Sequence, residues 1–403
     1  MVKFSITKIA DIVNQTTYKI SNQTRFVKIV LVAGYCYCLF LISLFAYKHP
    51  HYNWDMLAYM ALVIQEDNSD IKQIHEMTYK AAKEGIPAID YEHLLGGDHR
   101  KNLSKDPTAF YNTLPFYAVK PLYIKMVSLF HKAGFSLPIS TVLPSILFYL
   151  LIGLLFFFWV LKYLKILWAF AISTFIMLSS FMVFMPRLST PDCMSAFLLL
   201  SSFYFIVERP SIKWVCFFLI FSVFARLDNV VPCFFIISFL FLSVKWEQKI
   251  KLKYYLLMLL IFTACYFGIT AVTMKPFGWN VFYYPTYALH MNLSYSFHPS
   301  FLFKEYVALV ISHITTAIVF YHFLFFMFFF SLIIYSPAVK YKNLTLDQAF
   351  AVVLVFSIFF RFILHPDLSD RFNIAYYLYF LIIFIKKYVG IISGLKPFPL
   401  AKG

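Results

Sequence analysis

Long apolar runs separated by short polar breaks dominate the chain. A bilayer-spanning helix needs about 20 apolar residues, within a range of about 17–25. Ten runs are read as spans: 27–47, 138–161, 166–186, 193–207, 212–225, 229–244, 254–274, 308–335, 349–364 and 372–385. The pattern predicts an all-α polytopic membrane protein, one domain over 1–403. The first run is followed directly by Lys48, His49 and Pro50, with no small-residue cleavage site, so it reads as a retained anchor.

Residues 113–133 decide the parity of everything that follows. Lys125, Ser128 and Lys132 recur on one stripe, and Leu122, Met126, Leu129 and Phe130 form another. That is an amphipathic helix lying in the membrane interface, opened by Pro121 in its first turn. The expectation is therefore a 90-residue outer segment, 48–137, between the first two spans.

Composition agrees: 61% of the 403 residues are hydrophobic and only 13% charged. Soluble domains carry about 25% charged residues, so a soluble protein is excluded. With a cytoplasmic N-terminus, the inner segments hold 19 Lys/Arg against 4 Asp/Glu, and the remainder 16 against 15. This asymmetry sets the orientation, with both termini cytoplasmic and a bacterial inner membrane as the expected location. The excess positive charge faces anionic lipid, so nucleic acid is not needed to explain it. Six cysteines lie in or beside apolar runs without metal-ligand spacing and read as small core residues.

Five polar constellations fall on the outer face under this topology. Asp55 follows His51-Tyr52-Asn53-Trp54, where an apolar wall could raise its pKa and make it a base; the competing reading is an N-cap for MLAYMALVI. Arg187 and Asp192 share the turn Pro186–Asp192, where Asp192 also suits a cap and Arg187 would welcome an acid or a phosphate. Arg226 and Asp228 sit between two spans, where a local ion pair tightening a hairpin is the plainer account. His290 and His298 lie in an aromatic loop, too far apart for a metal-ligand pair. Arg371 ends the segment that begins at His365. His313 and His322, inside the 308–335 run, read as hydrogen-bonded core, and Arg361 as snorkelling from the end of its helix.

The order of span, outer Asp55, long acid-rich loop, Lys120-Pro121-Leu122-Tyr123 helix and Arg187…Pro191-Asp192 turn resembles the GT-C superfamily of membrane glycosyltransferases. The branch it is most similar to is that of protein O-mannosyl and lipid A aminoarabinose transferases. Val119 stands where that family often has an acid, and the 18 residues after the last span carry no soluble C-terminal domain. The resemblance implies a sugar on a polyprenyl phosphate as donor and a lipid, glycan or protein acceptor. A phosphate leaves as an anion and needs positive charge rather than an acid; Lys120, Arg187, Arg226 and Arg371 are the candidates. Asp55 would orient or deprotonate the acceptor. Asp192 would bind acceptor, sugar or a divalent metal ion. In-line displacement would invert the anomeric centre. The competing classes are a polysaccharide polymerase or ligase, and a lipid-linked sugar transporter or flippase. Few mid-span charges and only 11 Gly speak against transport.

Overall fold

A computed structural model of the protein describes residues 25–243, 246, 250–275, 278, 303–334 and 344–392, with side chains through 388. The first long helix is α1 (Arg25–Lys48). Seven short helices then form a cap: α2 (Asp55–Ile64), α3 (Ile71–Gly85), α4 (Ala88–Leu94), α5 (Asp98–Lys105), α6 (Pro107–Tyr111), α7 (Leu114–Ala118) and α8 (Pro121–Lys132). The sequence punctuates them locally. Asp70 caps α3 through the N–H groups of Lys72 and Gln73, and Asp106 caps α6 through Thr108 and Ala109. Proline occupies the first turn of α6, α7 and α8.

Helix α8 is amphipathic over its 12 residues. Its polar stripe converges on one residue. Glu66 accepts from Lys125 at 2.7 Å, Ser128 at 2.8 Å and Lys132 at 3.4 Å. Tyr123, Ile124 and Val127 form the buried face, while Leu129 of the other expected stripe is 63% exposed.

The remaining helices are α9 (Leu137–Val160), α10 (Ile166–Met177), α11 (Ser180–Phe184), α12 (Asp192–Val207), α13 (Ile212–Ala225), α14 (Val230–Leu242), α15 (Leu252–Thr273), α16 (Phe303–Phe320), α17 (Phe323–Ile334), α18 (Leu346–Leu364) and α19 (Asp370–Ile392). Among the described residues, α1, α9, α15, α16 and α18 are long and apolar enough to cross a membrane. The run expected at 166–186 is bent by 61° between α10 and the segment Ser180–Arg187. The runs at 193–207, 212–225 and 229–244 form shorter apolar helices. Side chains such as Leu260 (64% exposed) and Val272 (79%) point away from the protein. Apolar surface on this scale needs hydrocarbon around it, and the fold is that of a multi-pass helical membrane protein.

Polar contacts sort the helix ends into two sets. At one end, next to the cap, Arg226 meets Asp192 and Arg361 meets Phe372. At the far end, Glu208 binds Lys162 at 2.6 Å and the Tyr163 hydroxyl. Lys386 joins Glu208 at 3.7 Å to Asp347 at 2.7 Å. Gln348 and Lys387 both donate to the Ile333 carbonyl there.

The run at 308–335 is not one helix. It breaks at Tyr321–His322, where the His322 N–H donates to Asp370 Oδ1 at 3.0 Å and its ring Nδ1 lies 2.8 Å from Asp370 Oδ2. Asp370 opens α19 at the cap end. Near the other end of α16, the Tyr306 hydroxyl donates to the Ile363 carbonyl at 2.8 Å, at the cap end of α18. Both ends of α16 are therefore fastened near the same end of the bundle. His322 marks this joint, and His313 is only half-buried on α16.

Candidate active site

Asp55 begins α2, whose residues Met56 to Ala61 are almost completely buried. A helix so enclosed cannot turn about its axis, which fixes the direction of Asp55. No side chain caps this helix, so Asp55 is not spent on an N-cap. The Tyr117 hydroxyl faces its carboxylate. Behind them Tyr59 packs edge-on against Tyr123 (4.7 Å) and Tyr117 (5.6 Å). Tyr123 is anchored by donating to the Thr141 carbonyl at 2.5 Å.

Lys120 closes this aromatic wall. Its Nζ donates to the Tyr59 hydroxyl at 2.9 Å and sits 5.1–5.4 Å from the ring centroids of Tyr59, Phe116 and Tyr117. Burial pushes the Lys120 ammonium down to about 8, against the pull of Asp55 and Asp192.

Asp192 arrives from a turn that α9 holds in place. Thr141 and Ser189 share a hydroxyl hydrogen bond of 2.8 Å, and Ser145 donates to the Thr190 carbonyl at 2.9 Å. Asp192 opens α12 without capping it. Its Oδ1 accepts instead from Arg226 Nη1. Its Oδ2 is buried with no hydrogen-bond partner, and Arg371 Nε stands 3.9 Å away.

Arg226 forks onto Asp228 through Nε and Nη2, both at 3.0 Å. Burial works to raise the Asp228 carboxyl, but Arg226 overwhelms it and holds Asp228 well below the usual carboxylate range. Asn229 fixes this turn by donating to Ser195 Oγ and the Ser222 carbonyl, each at 2.8 Å. One ring serves three guanidinium groups. Phe372 lies 4.0 Å from Arg226, 4.6 Å from Arg371 and 5.7 Å from Arg361. Arg361 does not snorkel: it is 3% exposed and donates to the Phe372 carbonyl (2.9 Å) and Asn373 Oδ1 (2.8 Å).

Asp55, Lys120, Asp192, Arg226, Asp228 and Arg371 thus gather at the cap end. Lys120 feels Asp55, Asp192, Asp228 and Arg226, and Arg371 feels both Asp192 and Asp55. Arg187 is engaged elsewhere. Its Nε donates to the His49 carbonyl at 2.7 Å, its own carbonyl accepts from the His51 N–H at 2.8 Å, and it lies over Phe45. It clamps two chain crossings together. His290 lies outside the described residues.

Tyr59, Tyr117, Tyr123, Arg361, Phe372 and Asn373 complete the site and were not anticipated. Tyr117 and Tyr123 flank Lys120 by three residues on either side, a signal that could have marked them. Nothing local marks Arg361 or Phe372.

Among the described residues no three His, Cys, Asp or Glu side chains converge, and Asp192 and Asp228 share the Arg226 guanidinium. No family model matches the chain, and neither does any curated protein or solved structure.

Proposed function

We propose that the protein is a membrane glycosyltransferase. It transfers a sugar from a polyprenyl-phosphate donor to an acceptor at the outer membrane face, with inversion. The observation that carries this reading is Arg371 beside Asp192, 3.9 Å away, and within electrostatic reach of Asp55, three separate parts of the chain, next to a buried carboxylate oxygen that lacks a donor. In this reading the cap end is the outer side, and α1, α9, α10 with α11, α12, α13, α14, α15, α17, α18 and α19 are ten crossings. The lysine count of the opposite loops supports that orientation. The membrane is a bacterial inner membrane with both termini on its cytoplasmic side.

The acceptor hydroxyl oxygen forms the new bond to the anomeric carbon as the bond from that carbon to the phosphate oxygen breaks. The hydroxyl proton passes to Asp55, and the lipid phosphate leaves with the electron pair. Arg371 meets the growing negative charge. Its side chain is 33% exposed and its nearest carboxylate oxygen in an ion pair is 3.9 Å away, so its donors remain available. Arg226 stands behind it, already bound to Asp192 and Asp228. The unpartnered oxygen of Asp192 suits a sugar or acceptor hydroxyl.

Membranes with and without the protein, supplied with radiolabelled polyprenyl-phosphate sugars, test this. Label moves to an acceptor with the wild type, and Asp55→Asn stops it while expression persists. Full activity in Asp55→Asn removes the assignment. A transporter reading draws on one observation, the ion networks at both ends of the bundle, which alternating access would open in turn. Under it, label crosses the membrane without joining an acceptor.

A further inference from the structure

Glu66 stands two residues beyond the end of α2. Its side chain is 18% exposed, whereas the lysines that meet it are open to the surroundings, Lys125 at 70% and Lys132 at 61%. Burial works to raise the Glu66 carboxyl, but the hydrogen bonds from Lys125 and Ser128 outweigh it and hold it below the usual carboxylate range. Glu66 therefore stays an anion and draws two ammonium groups to one place, Lys125 at Oε1 and Lys132 at Oε2. One net positive charge remains. Each ammonium has three N–H donors and gives one of them to Glu66, so both keep donors for an outside anion.

The same face of α8 carries an apolar side chain. Leu129 lies four residues after Lys125 and three before Lys132, which puts all three on one side of the helix. Like the lysines, Leu129 is exposed. Two ammonium groups with a leucine between them match the boundary of a bilayer, where phosphate oxygens lie over hydrocarbon. A free phosphate would satisfy the lysines and leave Leu129 in water. A zwitterionic lipid brings its own cation to compete for its phosphate, and a phospholipid with net negative charge does not.

We propose that Lys125 and Lys132, positioned by Glu66, bind the phosphate of an anionic phospholipid, with Leu129 among its acyl chains. The proposal rests on α8 lying in the membrane interface and is independent of the transferase reading. Helix α8 begins directly after Lys120 and packs Tyr123 against Tyr59 at 4.7 Å. The bound lipid thus holds the helix that supplies one wall of the charged cluster.

Native mass spectrometry of the purified full chain tests it, with dioleoyl phosphatidylglycerol and dioleoyl phosphatidylcholine as probes. Their acyl chains are identical and only the heads differ. Replacing both lysines, Lys125→Gln with Lys132→Gln, should remove one bound phosphatidylglycerol per chain and leave phosphatidylcholine binding unchanged. Lys80→Gln with Lys83→Gln makes the same change of charge at exposed positions of α3 and should keep that lipid. Leu129→Gln should weaken the site by about tenfold through lost burial of the side chain. Glycerol phosphate in excess, a head group without chains, should not displace the lipid. Thermal unfolding of each variant separates a lost site from a broken fold. A phosphatidylglycerol count unchanged in the folded double variant, or wild-type affinity in a folded Leu129→Gln, overturns the proposal. Equal loss in Lys80→Gln with Lys83→Gln, or displacement by glycerol phosphate, overturns it as well.

Discussion

Arg226 donates through Nη1 to Asp192, 34 residues earlier in the chain. The same guanidinium forks onto Asp228, two residues on, so one cation ties two turns to one point. Asp192 is 1% exposed and Arg226 10%. Removing one partner from a buried pair costs about 3–5 kcal/mol when the other is left alone.

Arg226 keeps Asp228 if Asp192 is replaced, so the fold should survive Asp192→Asn with a modest loss of melting temperature. Transfer should fall by about 100-fold or more, the scale of losing one preorganised polar group in a site. Parallel measurement of melting temperature and label transfer checks the split. A collapse of both together would make Asp192 structural only.

Lys120 gives an alkaline limit. An ordinary lysine titrates near about 10.4, and this one is pushed down to about 8. As pH rises through that value the charge is lost in the folded protein, and kcat/KM should fall. The unfolded chain still holds the proton up to about 10.4, so between the two values stability gains with pH. Lys120→Met should remove both trends. A pH–rate profile of the wild type that stays level well past 8 would show that the charge on Lys120 plays no part.

Phe372→Leu removes the ring shared by Arg226, Arg371 and Arg361 while keeping an apolar side chain. Each cation–π contact is worth about 0.5–2 kcal/mol. A loss of about tenfold in kcat/KM is expected, restored by Phe372→Tyr. Equal loss in the Tyr variant would mean that shape, not the ring face, matters.

At the far end, Glu208→Gln should leave Lys162 and Lys386 without their shared acid. Those lysines are 26% and 35% exposed, which moderates the cost to the lower end of about 3–5 kcal/mol. KM should not change, because this network lies away from the cap. Chemical denaturation beside steady-state kinetics gives both numbers; a raised KM would show the two ends to be coupled.

The gathering of Asp55, Asp192, Arg226, Asp228 and Arg371 follows from simple constraints. Short polar breaks between apolar runs must lie at bundle ends, and alternation brings every second break together. What local pattern does not encode is partner choice. Arg187 and Asp192 share a turn, yet Arg187 takes the His49 carbonyl while Asp192 takes a distant arginine. The 308–335 run carries no Gly or Pro to announce a break. Its joint is set by Asp370, 48 residues downstream, which captures the His322 N–H. Arg361 likewise sits in an ordinary apolar helix and is turned inward by Asn373.

In the proposed topology two of the described helices, α8 and α16, lie along the outer membrane surface. Among the described residues this gives the outer leaflet more helix to accommodate than the inner one. A bilayer curved so that its outer leaflet has more room should therefore concentrate the protein.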